Sequence, residues 1–91
     1  MDFIARYGGE EFVLVINDVG IYEALRVVQR LKDNIAATQF FIDSTKEYIN
    51  LTISIGLSQY NLGEQITALI NRADKALYMA KTNRNTIMIE Q

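Results

Sequence analysis

The side chains from Tyr48 to Ser58 alternate strictly between large apolar residues and small or polar ones. The apolar positions are Ile49, Leu51, Ile53, Ile55 and Leu57. Successive side chains of a β-strand point to opposite faces, so this pattern predicts a strand with one face buried under helices and the other lined by small or polar groups. This segment therefore requires a sheet, and the rest of the chain must supply its partners.

Two helices are predicted, one before that strand and one after it. Apolar residues recur at three- and four-residue steps over residues 21–37, beginning with Ile21, Ala24 and Val28, and charged residues lie between them. A second amphipathic helix is predicted from Glu64 to Asn83 by the same criterion.

Further strands are predicted from short runs of β-forming residues, which cover residues 2–7, 12–16 and 86–89, while residues 40–42 lead into a turn or second hairpin at 43–47. Gly8 and Gly9 separate the first two runs, and glycine adopts the positive φ that tight hairpin turns require. The predicted order is β-β-α-β-α-β, an α+β sheet with helices on one face.

The absence of cysteine and histidine excludes several kinds of chemistry. Without cysteine there is no disulfide, thiol nucleophile or thiolate metal site, and without histidine there is no Ser-His or Cys-His arrangement. A general base or metal ligand must be a carboxylate, a lysine, a tyrosine or the backbone. A bound divalent cation is therefore expected to be a hard ion such as Mg²⁺.

Net charge and hydropathy indicate which partners and which compartment to expect for the chain. Its 91 residues carry a net charge of −2 and show no broad basic stripe, so no nucleic-acid partner is expected. No apolar run reaches membrane-spanning length, and residues 1–6 lack the layout of a signal peptide, so we expect a cytoplasmic segment without membrane contact. The length fits one small domain or part of a larger one.

The pentapeptide Gly8-Gly9-Glu10-Glu11-Phe12 is the best candidate for a functional site. Two glycines allow a phosphate or a base to approach the backbone, and two carboxylates beside them provide oxygen ligands. Mg²⁺ on a triphosphate typically takes one or two protein carboxylates and completes its shell with phosphate and water oxygens. The alternative is a solvated hairpin with charged flanks.

Three further motifs accompany the pentapeptide, namely Asp2–Tyr7, Ser54-Ile55-Gly56 and Ala73–Lys81. In this order and spacing, the motifs resemble the catalytic domain of diguanylate cyclases, the GGDEF family, in the variant with glutamate at the third position. The resemblance covers nearly the whole chain. It implies a ferredoxin-like, nucleotide-cyclase-type antiparallel sheet.

The resemblance also implies an activity, in which two GTP molecules condense into cyclic di-GMP at the junction of two such domains. It assigns roles to residues as follows: Glu10 and Glu11 as catalytic residues and ligands of Mg²⁺ or Mn²⁺, Gly8 and Gly9 against the nucleotide, Lys75 on its phosphates, and Asp2 in a product-inhibition site.

By the same resemblance, residues 1–91 are the C-terminal portion of a larger catalytic domain, preceded in the parent protein by a sensory domain. The N-terminal strand and helices of the family domain are absent, and that strand would lie between the hairpin and residues 53–57. We therefore expect the 91 residues alone to be inactive. We also expect two exposed strand edges, which favour rearrangement or association with a second chain, including strand exchange.

Two other interpretations stay open from the sequence. A non-catalytic module of this family would bind nucleotide or partners and regulate an attached domain, although the intact pair Glu10-Glu11 weighs against it. A purely structural α+β fragment would bind no ligand.

Overall fold

The computed structural model describes residues 3–6, 11–16 and 19–90, and these form six strands and two helices. In chain order the elements are β1 (Phe3–Arg6), β2 (Phe12–Val15), α1 (Ile21–Ala37), β3 (Gln39–Ile42), β4 (Glu47–Asn50), β5 (Ile55–Ser58), α2 (Ile66–Asn83) and β6 (Ile87–Glu90). The predicted α+β class is confirmed, and α1 has the predicted bounds.

The strands pair in three separate two-stranded sheets within the described residues, rather than in one continuous sheet. β1 and β2 are antiparallel, as are β3 and β4, which form the second hairpin. β5 and β6 are parallel, with Ile55 opposite Ile87, because α2 carries the chain back along the sheet between them. The strands β2 and β5 belong to different sheets and do not pair with each other.

The prediction of one strand over Tyr48–Ser58 is wrong, because residues 51–54 separate β4 from β5 and adopt no strand. Side-chain alternation is a local property and does not say which neighbour each part of the segment pairs with. β4 pairs with β3, whereas β5 pairs with β6. Leu51, between them, is 46% exposed.

α2 begins at Ile66, two residues later than predicted. The preceding residues form a turn, in which the Glu64 amide donates to the Asn61 carbonyl at 3.0 Å and the Asn61 amide donates to the Glu64 carboxylate at 2.7 Å. Gly63 has φ +87°, a left-handed conformation that glycine adopts without strain. These two hydrogen bonds keep residues 61–64 in a turn, so the helix begins only at Ile66.

The core consists of small residues on the inner faces of the helices. Ala24 and Val28 of α1 and Ala76 and Ala80 of α2 are buried, and no larger side chain among the described residues is completely enclosed. The buried alanines allow the helix backbone to lie close to its neighbours, but they enclose little apolar surface. No helix in the described part of the chain has the length and hydropathy needed to cross a membrane.

Arg72 connects α2 to the ends of both strands beneath it. Its guanidinium donates to the Gln59 carbonyl at 2.6 Å and to the Glu90 carbonyl at 3.5 Å, and it forms an ion pair with Glu64. The hydrogen bond from the Asn61 backbone amide, together with Arg72, lowers the pKa of the Glu64 carboxyl below its ordinary value. Glu64 and Arg72 therefore connect the loop between β5 and α2 to α2 itself and to the C-terminal ends of β5 and β6.

We expect this connection to make folding stability depend on pH. Because the pKa of Glu64 is lowered by folding, its contribution is present above the ordinary glutamate pKa of about 4.3 and is lost as the pH falls through the folded-state value. Glu64→Gln removes this contribution. Denaturant unfolding at neutral pH and at about pH 3 should therefore show a smaller loss of stability in the variant than in the wild type. Equal losses in both proteins would contradict this role for Glu64.

Candidate active site

The candidate site lies in the chain between β1 and β2. Arg6 is opposite Phe12 in the antiparallel register, so the predicted pairing of the first two strands is confirmed. Glu11 is the member of the predicted site in this region that the structure describes. The other predicted residues of this region lie outside the described residues, and their roles stay predictions: Asp2, Gly8, Gly9 and Glu10.

Glu11 lies beside a lysine from the far end of the chain. Its Oε2 is 3.6 Å from Nζ of Lys81, in the last turn of α2, and the two side chains are 32% and 35% exposed. At this distance the pair is an electrostatic contact rather than a hydrogen bond. Both charged groups are open to a ligand and lie next to each other, although their positions differ by 70 in the sequence.

The pair faces a cleft of about 1280 Å³, which is lined by β2, β5 and the inner faces of α1 and α2. Most of its lining residues are apolar, such as Leu14, Ile53 and Leu77. The charged residues on its wall are Glu11, Asp74, Lys81 and Arg84. These four charged residues are the groups of the wall that can meet a charged ligand.

Gly56 sets the distance between β5 and α2. A Cβ atom placed on Gly56 would lie 2.1 Å from the Ala73 carbonyl oxygen and 2.3 Å from the Leu77 amide nitrogen. Both contacts are to helix backbone, so the helix can lie this close only because residue 56 has no side chain. Asp74, Leu77 and Lys81 follow at helical spacing on the face of α2 that lines the cleft.

The structure places Lys75 differently from Lys81. Lys75 is exposed on α2 and does not line the cleft, whereas Lys81 does and contacts Glu11. The phosphate contact predicted for Lys75 stays a prediction, and the position of Lys81 beside Glu11 was not predicted from the sequence. The available signal was helical spacing, because Lys81 lies seven residues after Asp74 and four after Leu77, on the same face as Leu77.

The Glu11 carboxylate can serve as one ligand of a hard divalent cation, since it is partly exposed and such ions prefer oxygen ligands. Residues 3–6, 11–16 and 19–90 contain no group of three or more acidic side chains that would form a complete protein site. A cation at Glu11 would therefore take further oxygens from outside these residues, for example from a phosphate or from water.

Comparison with known proteins links the chain to one family. The family model described as "Diguanylate cyclase, GGDEF domain" matches residues 1–86. Diguanylate cyclase A of Treponema denticola is 40% identical over 92 residues, and the match covers 99% of this chain and 24% of that protein. The response regulator PleD of Caulobacter vibrioides is 38% identical over 90 residues, covering 97% of this chain and 20% of that protein.

Solved structures match the fold as well. The GGDEF domain of DgcB from Caulobacter crescentus, crystallised with c-di-GMP, superimposes with a TM-score of 0.91 at 28% identity. The active GGEEF domain of a diguanylate cyclase from Vibrio cholerae superimposes with a TM-score of 0.80 at 32% identity. Each match covers 98% of this chain, but only 52% and 56% of the respective solved chains.

Proposed function

Because this chain belongs to the GGDEF family, we propose that the protein containing it condenses two GTP molecules into cyclic di-GMP. The 3′-hydroxyl of each nucleotide attacks the α-phosphorus of the other. Two new phosphoester bonds form, two α–β phosphoanhydride bonds break, and two pyrophosphates leave. The observation that carries the proposal is the contact between the Glu11 carboxylate and the Lys81 ammonium on the wall of an open cleft.

The charged residues of the cleft suit a magnesium nucleotide. Glu11, together with Glu10, is proposed to hold Mg²⁺ or Mn²⁺, which supplies charge neutralisation to the triphosphate when bound. Lys81 is proposed to contact the phosphates, since its ammonium lies within 3.6 Å of Glu11. Reactions of this class depend on positioning and on charge neutralisation, so the absence of histidine and cysteine from the chain is no obstacle.

The remaining parts of the proposal rest on family membership. Gly8 and Gly9 are proposed to lie against the nucleotide, and Asp2 to belong to a product-inhibition site. Each GTP must meet a second one, so two copies of the domain are required, as a homodimer with or without strand exchange. A sensory domain upstream of the chain is proposed to control the reaction.

Measuring nucleotide affinity distinguishes Lys75 from Lys81 as the lysine that contacts the phosphates. We expect Lys81→Met to weaken binding of a non-hydrolysable GTP analogue with Mg²⁺ by about tenfold, because a charge-assisted phosphate contact is lost. Lys75→Met, on the exposed face of α2, should weaken it by less than about twofold, as expected of a solvated charge. Calorimetric titration of both variants of the complete gene product measures the difference. A larger effect from Lys75→Met would restore the assignment made from sequence.

The activity itself is tested by incubating the complete gene product with GTP and Mg²⁺ and separating the products by chromatography. Formation of cyclic di-GMP and two equivalents of pyrophosphate supports the proposal, and ATP serves as the control substrate. Binding of GTP without turnover would favour the non-catalytic module, and no binding would favour a structural role.

We also propose that the 91 residues alone turn over little or no GTP. The support is the open cleft between unpaired sheets and the shallow core. The same assay on the isolated 91 residues decides this, and rates equal to those of the complete gene product would contradict it.

A further inference from the structure

We propose that the outer edge of β3 is a docking site for a second copy of this chain, in which the two β3 strands pair antiparallel about a two-fold axis through Phe41. The hairpin formed by β3 and β4 does not line the cleft, so the inference requires neither nucleotide nor cation and goes beyond the proposed function. β3 also belongs to a different sheet from β2 and β5, so the strand expected between those two does not take up this edge.

The first observation is that β3 has a free edge. Its four residues pair with β4 on one side, and no backbone group of residues 3–6, 11–16 and 19–90 bonds to it on the other. In an antiparallel pair every second residue directs its amide and carbonyl away from the partner strand. The sequence of β3, Gln-Phe-Phe-Ile, contains neither a charged residue nor a proline, which commonly keep an edge strand from pairing with another chain.

The second observation is an exposed aromatic pair on one face of this hairpin. Phe41 and Tyr48 lie opposite each other with ring centroids 5.2 Å apart, and they are 49% and 66% exposed. Gln39 and Asn50 are the next residues on the same face and also lie opposite each other. The face is therefore aromatic, with two amide side chains beside the rings, and it carries no charge.

The charges of the hairpin favour a second copy as the partner. With the axis through Phe41, this residue faces Phe41 of the second copy, and Asp43 lies opposite Gln39 of the second copy, so no like charges oppose each other. Asp43 is also paired with Lys46 at 3.0 Å within its own turn. Because opposed residues share a face, the four aromatic rings become neighbours on one side of a four-stranded sheet. A strand with a charged edge would find no counter-charge on β3.

The contact is small. One pair of short strands and four rings bury less than the roughly 1,200 Å² of a stable interface, so the association is expected to be weak by itself. It gains strength where two copies are held together elsewhere in the complete protein, because the local concentration is then high. The experiment must therefore report on β3 itself rather than on the overall oligomeric state.

The first test is disulfide trapping with Phe41→Cys in the complete gene product, without nucleotide. Residues 1–91 contain no cysteine, so position 41 supplies the thiol of this segment. Opposed residues of an antiparallel pair have Cα atoms about 4.5–5.5 Å apart, which a disulfide can span. Under mild oxidation, mass spectrometry should find the tryptic peptide 33–46 joined to a second copy of itself.

The matched control for Phe41→Cys is Leu62→Cys, in the turn before α2, where the side chain is 98% exposed. If random collisions joined the thiols, the more exposed position 62 would be cross-linked faster. We expect position 41 to be cross-linked at least about tenfold faster than position 62, because pairing holds the two thiols together. Equal or slower cross-linking at position 41 would overturn the inference.

The second test uses charge exchange at the axis, measured by hydrogen exchange of the amides of residues 39–42. In the wild type their protection should rise with protein concentration. Phe41→Lys and Phe41→Glu should each lose this rise, because two like charges then face each other, and mixing the two folded variants should restore it. A side chain that merely stabilises the fold would show no restoration by mixing, and that result would also refute the two-fold arrangement. Neither test uses GTP, so its failure leaves the proposed function standing.

Discussion

Replacing Glu11 by glutamine is expected to lower the rate of cyclic di-GMP formation by about 10²- to 10³-fold in the complete gene product. Glutamine keeps the size of the side chain and removes its charge. The carboxylate lies on the wall of the cleft, 3.6 Å from Lys81, and is proposed to hold the cation that neutralises the triphosphate. Losing this charge weakens the interactions that are strongest in the transition state.

The control for Glu11→Gln is Glu23→Gln, the same change at an exposed position in the first turn of α1 that does not line the cleft. Its rate should equal that of the wild type. Glu10→Gln, at the neighbouring residue outside the described part of the chain, is expected to have an effect of similar size. Wild-type rates in both Glu11→Gln and Glu10→Gln would refute the assignment of the acidic pair.

Gly56→Ala is expected to destabilise the domain by about 3 kcal/mol or more, at the upper end of the cost of overpacking. The added Cβ would lie 2.1 Å from the Ala73 carbonyl oxygen and 2.3 Å from the Leu77 amide nitrogen. These atoms belong to helix backbone and cannot rotate away as a side chain does. α2 must therefore move off β5, which separates Lys81 from Glu11 as well.

Gly20→Ala provides the comparison for Gly56→Ala, because a Cβ atom on Gly20 would meet nothing within 4 Å. Gly20 is the N-cap of α1 in an extended conformation, so its replacement should cost less than about 1 kcal/mol. Denaturant unfolding of the complete gene product, followed by a signal from this domain, measures both. A Gly56→Ala variant as stable as Gly20→Ala would show that α2 does not pack against β5 as described.

The existence and type of most elements could be predicted from the sequence because they depend on neighbouring residues. The three- and four-residue steps from Ile21 onward determined α1 to its last residue. Gly8 and Gly9, between two β-forming runs, were sufficient to predict the first hairpin. The same reasoning failed over Tyr48–Ser58, because alternation continues through residues 51–54, where no partner strand holds the chain in the sheet.

The candidate site, like the fold, could be predicted from the sequence only in part. That Glu11 belongs to it is a prediction from the motif alone, since the glycines and carboxylates are contiguous. The choice between Lys75 and Lys81 was not local, because both lie on one helix and only the packing of α2 on β5 decides which of them faces the hairpin. A pattern within one helix gives the faces of that helix, but not the side on which a distant segment will lie.

From the sequence by itself come the α+β class, the hairpin with its acidic pair, and the exclusion of thiol and imidazole chemistry. Only the tertiary structure showed that β5 and β6 are parallel, that Gly56 admits the helix backbone, and that Lys81 reaches Glu11. The physical reason is separation along the chain. Helix and strand periods arise from residues within a few positions of each other, whereas these contacts join segments whose approach depends on how the whole core packs.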